Sequence, residues 1–328
     1  MPRRLAGPRR LGKKEKIMRT ALIVTAACLF ALSACQTPAA TLAPPPAAIS
    51  DAPWRPVAPE NLVILKTRTG EAIIELAEEA APEHVRQFRE AIRANLYNGE
   101  YFYRVIDGHV AQAGLEFEHR LEDWPLLPLE AERQVKAEGF DTFGNADLFA
   151  DPVGHREGFA AGREGDQEWL LNCPGALGMA RDDDPGTGST EFFIPLAPRR
   201  YLDRNYTIFG RVIAGMEHIN RLKRVDPVGK EDVPAFVDPA TALQKMAERA
   251  QRLGDNEIIS IGLAADMPEA LRPRWEVMAT PGPEWEALKA EKRNYGIYDA
   301  FVVKPPKVVD ICTLPVPARP ITQETDPA

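Results

Sequence analysis

The chain has 328 residues with 40 Lys/Arg against 48 Asp/Glu, a formal charge of −8. Residues 1–34 hold eight basic residues and one Glu, which leaves 32 basic against 47 acidic residues in 35–328, about −15. A body of that sign lacks the electrostatic footprint of a nucleic-acid binder, and the scattered His and Cys show no metal-site spacing. The length allows one large domain or two smaller ones.

The basic start leads into "MRTALIVTAACLFALSAC", with Met18 as a plausible initiator, Arg19 as the charged beginning and an apolar run from Ala21 to Leu32. That run reads as a signal peptide, too short to span a bilayer comfortably. Its end, Leu32 to Cys35, resembles the lipobox of bacterial lipoproteins, which implies lipidation at Cys35 and removal of 1–34. Several acyl chains on Cys35 would hold a soluble domain to a membrane. Gln36, with no Asp after the cysteine, slightly favours the outer membrane of a cell envelope. Export permits disulfides. Cys173 and Cys312 are then the two remaining cysteines, either paired with each other or left as buried thiols.

Residues 38–59 hold seven Pro and seven Ala in 22 positions, so 35–59 reads as an extended linker. From Asn61, "NLVILKTRTGEAIIELA" predicts strand, turn, strand. "APEHVRQFREAIRANLYNG" predicts a helix with Pro82 in its first turn, Val85, Phe88, Ile92 and Leu96 on one stripe, and Asn98-Gly99 as its stop. "YFYRVIDGHVAQAG" reads as a hairpin turning at Asp107-Gly108. On a regular strand Arg104 would share an apolar face with Phe102 and Ile106. Residues 115–171 are acidic, Gly-rich and expected as long loops. Short strands return over 175–212, "GMEHINRLKRV" predicts a second helix, and "NEIISIGLA" a closing strand. The segment 266–328 reads as an ordered extension with a helical "EWEALKAEKRN" and a β-like "AFVVKP", losing order after about Pro315. Many short strands and two well-signalled helices favour a mainly β barrel or sandwich.

Taken together, "FYRVIDGHVAQAG" and "GALGMARDDDPGTGSTEFFIPLAPRRYLDRNYTIFGRV" resemble the cyclophilins, a family of peptidyl-prolyl cis-trans isomerases. Four motifs occur in order over about Asn61 to Ala265. The resemblance implies a closed eight-stranded antiparallel barrel capped by two helices over 60–265, with 266–328 as a C-terminal extension. It also implies isomerisation of X–Pro bonds without a cofactor, on proline-containing polypeptides, and we expect a monomer. Catalysis falls to Arg104, a hydrogen-bond donor to the twisting prolyl nitrogen, with Gln112 orienting it. Phe193, Val110 and Leu202 are expected to line a proline pocket. Ala180 and Arg181 stand where the substrate backbone pairs, and His109, Glu191, Tyr201 and Tyr206 complete the site.

Four departures matter. His109 stands where the family usually has Phe, Val110 where it has Met, Glu191 where it has Gln, and Tyr201 where it has Trp or another aromatic. A carboxylate at 191 is expected to ion-pair with Arg104 and slow the enzyme, so that Glu191→Gln would raise turnover. The competing reading is a cyclophilin-fold binding module with little or no turnover. Asp182 to Asp184, ahead of Pro185-Gly186, read as a solvated turn rather than a calcium loop.

Overall fold

A computed structural model describes residues 53–115, 124–145, 147–225, 248, 251–294 and 301–322. Cys35, the leader and the linker as far as residue 52 lie outside the described residues. In chain order the elements begin with β1 (Trp54–Pro56), β2 (Leu62–Thr67), β3 (Gly70–Leu76), helix α1 (Pro82–Arg93), β4 (Arg104–Val105) and β5 (Val110–Ala113). A central group follows: β6 (Arg133–Gln134), β7 (Phe140–Thr142), β8 (Val153–Arg156), β9 (Phe159–Glu164) and β10 (Gln167–Leu170). The chain continues with β11 (Ala176–Met179), β12 (Phe192–Pro195), β13 (Ile208–Ala214), the short α2 (Met216–Asn220) and β14 (Ile258–Leu263). Strand β15 (Trp275–Met278), helix α3 (Pro283–Arg293) and β16 (Ala318–Pro320) complete the described elements.

Eight strands form one antiparallel sheet in the order β14-β2-β3-β13-β11-β12-β5-β4. It curls round α1, whose Val85, Phe88 and Ile92 are buried against Leu65, Ile74, Ala111, Phe192 and Ile194. Phe88 sits at the centre of this core, with Tyr97, Phe192 and Phe209 rings 5.1–5.5 Å away in tilted or edge contacts. Such pairs add to simple burial because ring edges and faces carry opposite charge. The expected closed barrel is corrected to a curled, nearly closed sheet. No ladder joins β4 to β14; the edges meet at one bridge, Tyr101 to Glu257, flanked by Phe102 N to Asn256 O (3.0 Å) and Ile258 N to Glu100 O (2.8 Å).

The loops expected over 115–171 are, in large part, a second sheet of order β6-β10-β9-β8-β7. Its sequence looks like loop because charged residues occupy strand positions that normally carry apolar ones. Glu168 is fully buried and accepts from Arg133, Arg156 and Arg163, each at 2.8 Å. Burial opposes the ionisation of Glu168, but the Arg156 and Arg133 hydrogen bonds outweigh it and hold the carboxyl below its ordinary range. Further donors of Arg156 and Arg163 find the backbone carbonyls of Val135, Lys136, Glu138 and Gly165. A buried cluster of this kind is tolerated because its charges are paired and its carboxylate is fully hydrogen-bonded.

The ordered body also reaches further at both ends than the sequence suggested. Strand β1, inside the expected linker, pairs with β15, and β16, beyond Pro315, pairs with β15 on its other side. Residues 301–305 form no strand. Val57, Leu62, Ile73, Phe143, Trp169, Val277, Trp285 and Ile311 form a second core beneath the two larger sheets. Cys173 and Cys312 form a disulfide across 139 residues of chain, which ties the extension to the start of β11. Lys289 and the Trp285 indole both donate to Asp141 on β7 (3.1 and 2.6 Å).

His155 on β8 is buried between Phe143 and Trp285, with centroids 5.7 and 4.9 Å away. Burial, with Arg211 and Lys289 nearby, pushes it down to about 3. The folded form therefore binds the proton more weakly than the unfolded chain, whose histidine titrates near 6.5. The associated stability is complete above about pH 6.5 and is lost as pH falls toward 3. Denaturant melts at pH 6.5 and pH 5 should differ by on the order of 1–2 kcal/mol. His155→Asn, though less stable throughout, should show a shallower slope over that interval; an unchanged slope would remove His155 as the cause.

Candidate active site

The face of the eight-stranded sheet that points away from α1 carries the residues of interest. Antiparallel register aligns them: Gly178 on β11 opposes Phe193 on β12, Phe193 opposes Gln112 on β5, and Gln112 opposes Arg104 on β4. Partners in such a row stand on the same side of the sheet. Their neighbours one residue away, Phe192, Ala111, Ala113 and Val105, all face the inner core. The expectation that Arg104 shares a face with Phe102 is corrected here. Phe102 precedes β4 in irregular backbone and is buried in the inner core, 5.9 Å from the Phe192 ring. The regular strand begins only at Arg104, which emerges on the opposite face, half-buried.

Gly178 makes the platform. A Cβ there would come within 2.4 Å of the Phe193 ring, so only glycine lets that ring lie over the strand. Tyr206 meets Phe193 edge-on at 5.5 Å, and Arg181 lies over Tyr206 at 4.5 Å while donating to the carbonyls of Asn205 and Asp182. Phe193 and Val110 belong to a small apolar layer that includes Ala161 and Leu170 of the second sheet. The central segment therefore backs the same wall. Ala180 donates its backbone N–H to Glu191 O at 2.8 Å. Asp184 caps a short turn by accepting from Gly186 N, in keeping with a turn at 182–186.

Leu202 and Tyr201 sit on the turn Arg200–Leu202, with Leu202 half-buried and Tyr201 59 % exposed. The turn is pinned by Arg200, which is buried and donates to Asp147 (2.8 Å) and Asp203 (2.6 Å). His109 stands at the end of the row next to Val110. Burial, with Arg104 and Arg199 close by, holds its imidazole below the ordinary histidine range, hence neutral at neutral pH.

The polar centre differs from the expected ion pair. Arg104 Nη1 donates to Gln112 Oε1 at 3.3 Å, and Gln112 Nε2 donates to Glu191 Oε2 at 2.9 Å. The Tyr103 hydroxyl donates to the same Glu191 oxygen at 2.6 Å and accepts from Gln112 Nε2. No ion pair joins Glu191 to Arg104 among the described residues; Gln112 stands between them. A carboxylate can only accept, so it compels Gln112 to present its NH2. The Gln112 carbonyl is then left facing the guanidinium, which can only donate. Tyr103 and Arg200 were not singled out from sequence, and Tyr103 was detectable only as an aromatic beside the arginine.

A curled antiparallel sheet thus carries an arginine, a glutamine and a phenylalanine in one outward row. Residues 62–238 match the family model of the cyclophilin-type peptidyl-prolyl cis-trans isomerases, and the chain belongs to that family. A probable peptidyl-prolyl cis-trans isomerase of Brucella suis is 32% identical over 179 residues, covering 51% of this chain and 73% of the relative. A peptidyl-prolyl cis-trans isomerase of Acinetobacter baylyi is 28% identical over 170 residues, covering 50% and 73%. The crystal structure of cyclophilin AquaCyp293 from Hirschia baltica superposes with a TM-score of 0.63 at 26% identity, covering 83% of this chain and 94% of that one. That coverage exceeds what 62–238 can supply, so the likeness takes in parts of the chain outside the family domain.

The geometry reverses the direction expected for residue 191. Glu191→Gln removes the acceptor-only group that fixes the Gln112 amide. Gln can still accept but can also donate, so the Gln112 amide is no longer held one way round, and a weakening of about 1 kcal/mol should lower kcat on an Ala-Pro peptide about fivefold. A rise in kcat would show that the carboxylate restrains the enzyme.

Proposed function

We propose that the chain catalyses cis-trans isomerisation of X–Pro bonds through Arg104, and that it does so on proteins folding in the cell envelope. The supporting observation is the single row of Phe193, Gln112 and Arg104 on one sheet face. A prolyl ring seated on Phe193 and Val110 brings its amide toward the guanidinium. As the bond twists, amide resonance is lost and the nitrogen regains a lone pair. Its affinity for a donor rises at that moment, so a hydrogen bond from Arg104 stabilises the twisted state more than either planar one. Gln112 keeps the guanidinium aimed, and Glu191 with Tyr103 keeps Gln112 from turning over. The neutral His109 adds no third charge to the lip of the site.

The envelope location is supported by the signal-like run ending at Cys35 and the Pro/Ala-rich segment after it. The Cys173–Cys312 disulfide is in keeping with an oxidising compartment. In this reading Cys35 carries lipid and the domain is a monomer on a tether.

Arg104→Ala should lower kcat/KM on a short Ala-Pro peptide about a hundredfold or more while the circular dichroism and melting curve stay near wild type. Wild-type protein that folds but does not accelerate isomerisation would favour a binding module instead.

A further inference from the structure

The corner of the site beyond His109 carries charge that the isomerisation step does not use. Arg199 lies immediately before the turn Arg200–Leu202, with its backbone N–H held by Asn172 O at 2.8 Å. Its side chain runs back over the β4–β5 turn, where Nη2 stands 3.9 Å from the place a Cβ on Gly108 would take. The guanidinium has little to hold there. Nη1 reaches Pro198 O at a long 3.4 Å, and Nε is buried without a hydrogen-bond partner.

Carboxylates close to Arg199 in the chain or in the turn it overlies are already engaged. Asp147 and Asp203 belong to Arg200, and Asp107 of the β4–β5 turn pairs with Arg224. Arg199 makes no ion pair among the described residues. Arg104 and Arg199 both act on His109, whose imidazole burial and these two charges hold below its ordinary range. This local positive field belongs to a body whose acidic residues outnumber its basic ones, 47 to 32 over 35–328.

We infer that Arg199 is a carboxylate-binding subsite that makes the site favour polypeptides carrying Asp or Glu within two residues of the proline. The inference rests on the isomerase reading above. A guanidinium fork matches a carboxylate in geometry as well as in charge. Because the position is partly open to water, the effect is a preference and not a requirement.

The test uses short peptides with one proline and Glu, Ala or Lys at each of the two positions on either side, assayed for both kcat/KM and Kd with the full chain. At one of these positions wild type should favour Glu over Ala by about two- to fivefold and disfavour Lys, with the ratio shrinking in high salt. Arg199→Lys should keep the order and Arg199→Glu should invert it. Ratios near one in wild type, or an order unchanged in Arg199→Glu, would overturn the subsite. Absence of turnover on every peptide would overturn the isomerase reading instead, while the Kd ratios would still decide the subsite.

Discussion

The register between β4, β5 and β12 is the constraint on which the site depends. Pairing Arg104 with Gln112 and Gln112 with Phe193 puts a cation, an amide and a ring in one line across three strands. A slip of one residue would send all three into the inner core and bring Val105, Ala111 and Phe192 out. The inner core guards against that slip. Phe192 is locked by Phe88, Tyr97 and Phe102, so β12 cannot shift without breaking three aromatic contacts. The oddity of a guanidinium in an aromatic strand is resolved by irregular backbone at Phe102 and Tyr103, which lets Phe102 turn inward while Arg104 turns out.

Around this row the chain builds supports that the sheet alone does not supply. The second sheet contributes Ala161 and Leu170 to the layer beneath Phe193 and Val110. Asp147 from the same region holds Arg200, and with it the turn that carries Tyr201 and Leu202. The extension braces the second sheet in turn, through Trp285 and Lys289 on Asp141 and through the disulfide. These contacts give the central segment and the extension a physical task, which is to hold one wall of the site.

Where apolar periodicity ran unbroken, the sequence was readable. The α1 stripe of Val85, Phe88 and Ile92, the β2–β3 hairpin and β14 all appear where alternation or helical spacing put them. The motifs around Arg104, Gln112 and Phe193 likewise identified the row, although its alignment depends on pairings between strands far apart in the chain. The second sheet was illegible because Arg133, Arg156, Arg163 and Glu168 spend their charge on one another inside it, and charge in a strand reads as loop. Strand β16 was missed because Ala318–Pro320 has no pattern of its own and is ordered by pairing with β15. The partners of Glu191 were not legible because sequence gives proximity to Arg104 but not the Gln112 amide and Tyr103 hydroxyl lying around it.

The most direct test of the account is to determine where an Ala-Pro peptide binds, by crystallography or by intermolecular NMR contacts on the full chain. The account predicts the prolyl ring on Phe193 and Val110, with the Arg104 guanidinium within hydrogen-bond reach of the prolyl amide. A peptide bound with its proline away from Phe193, or with Arg104 turned from the amide, would contradict it.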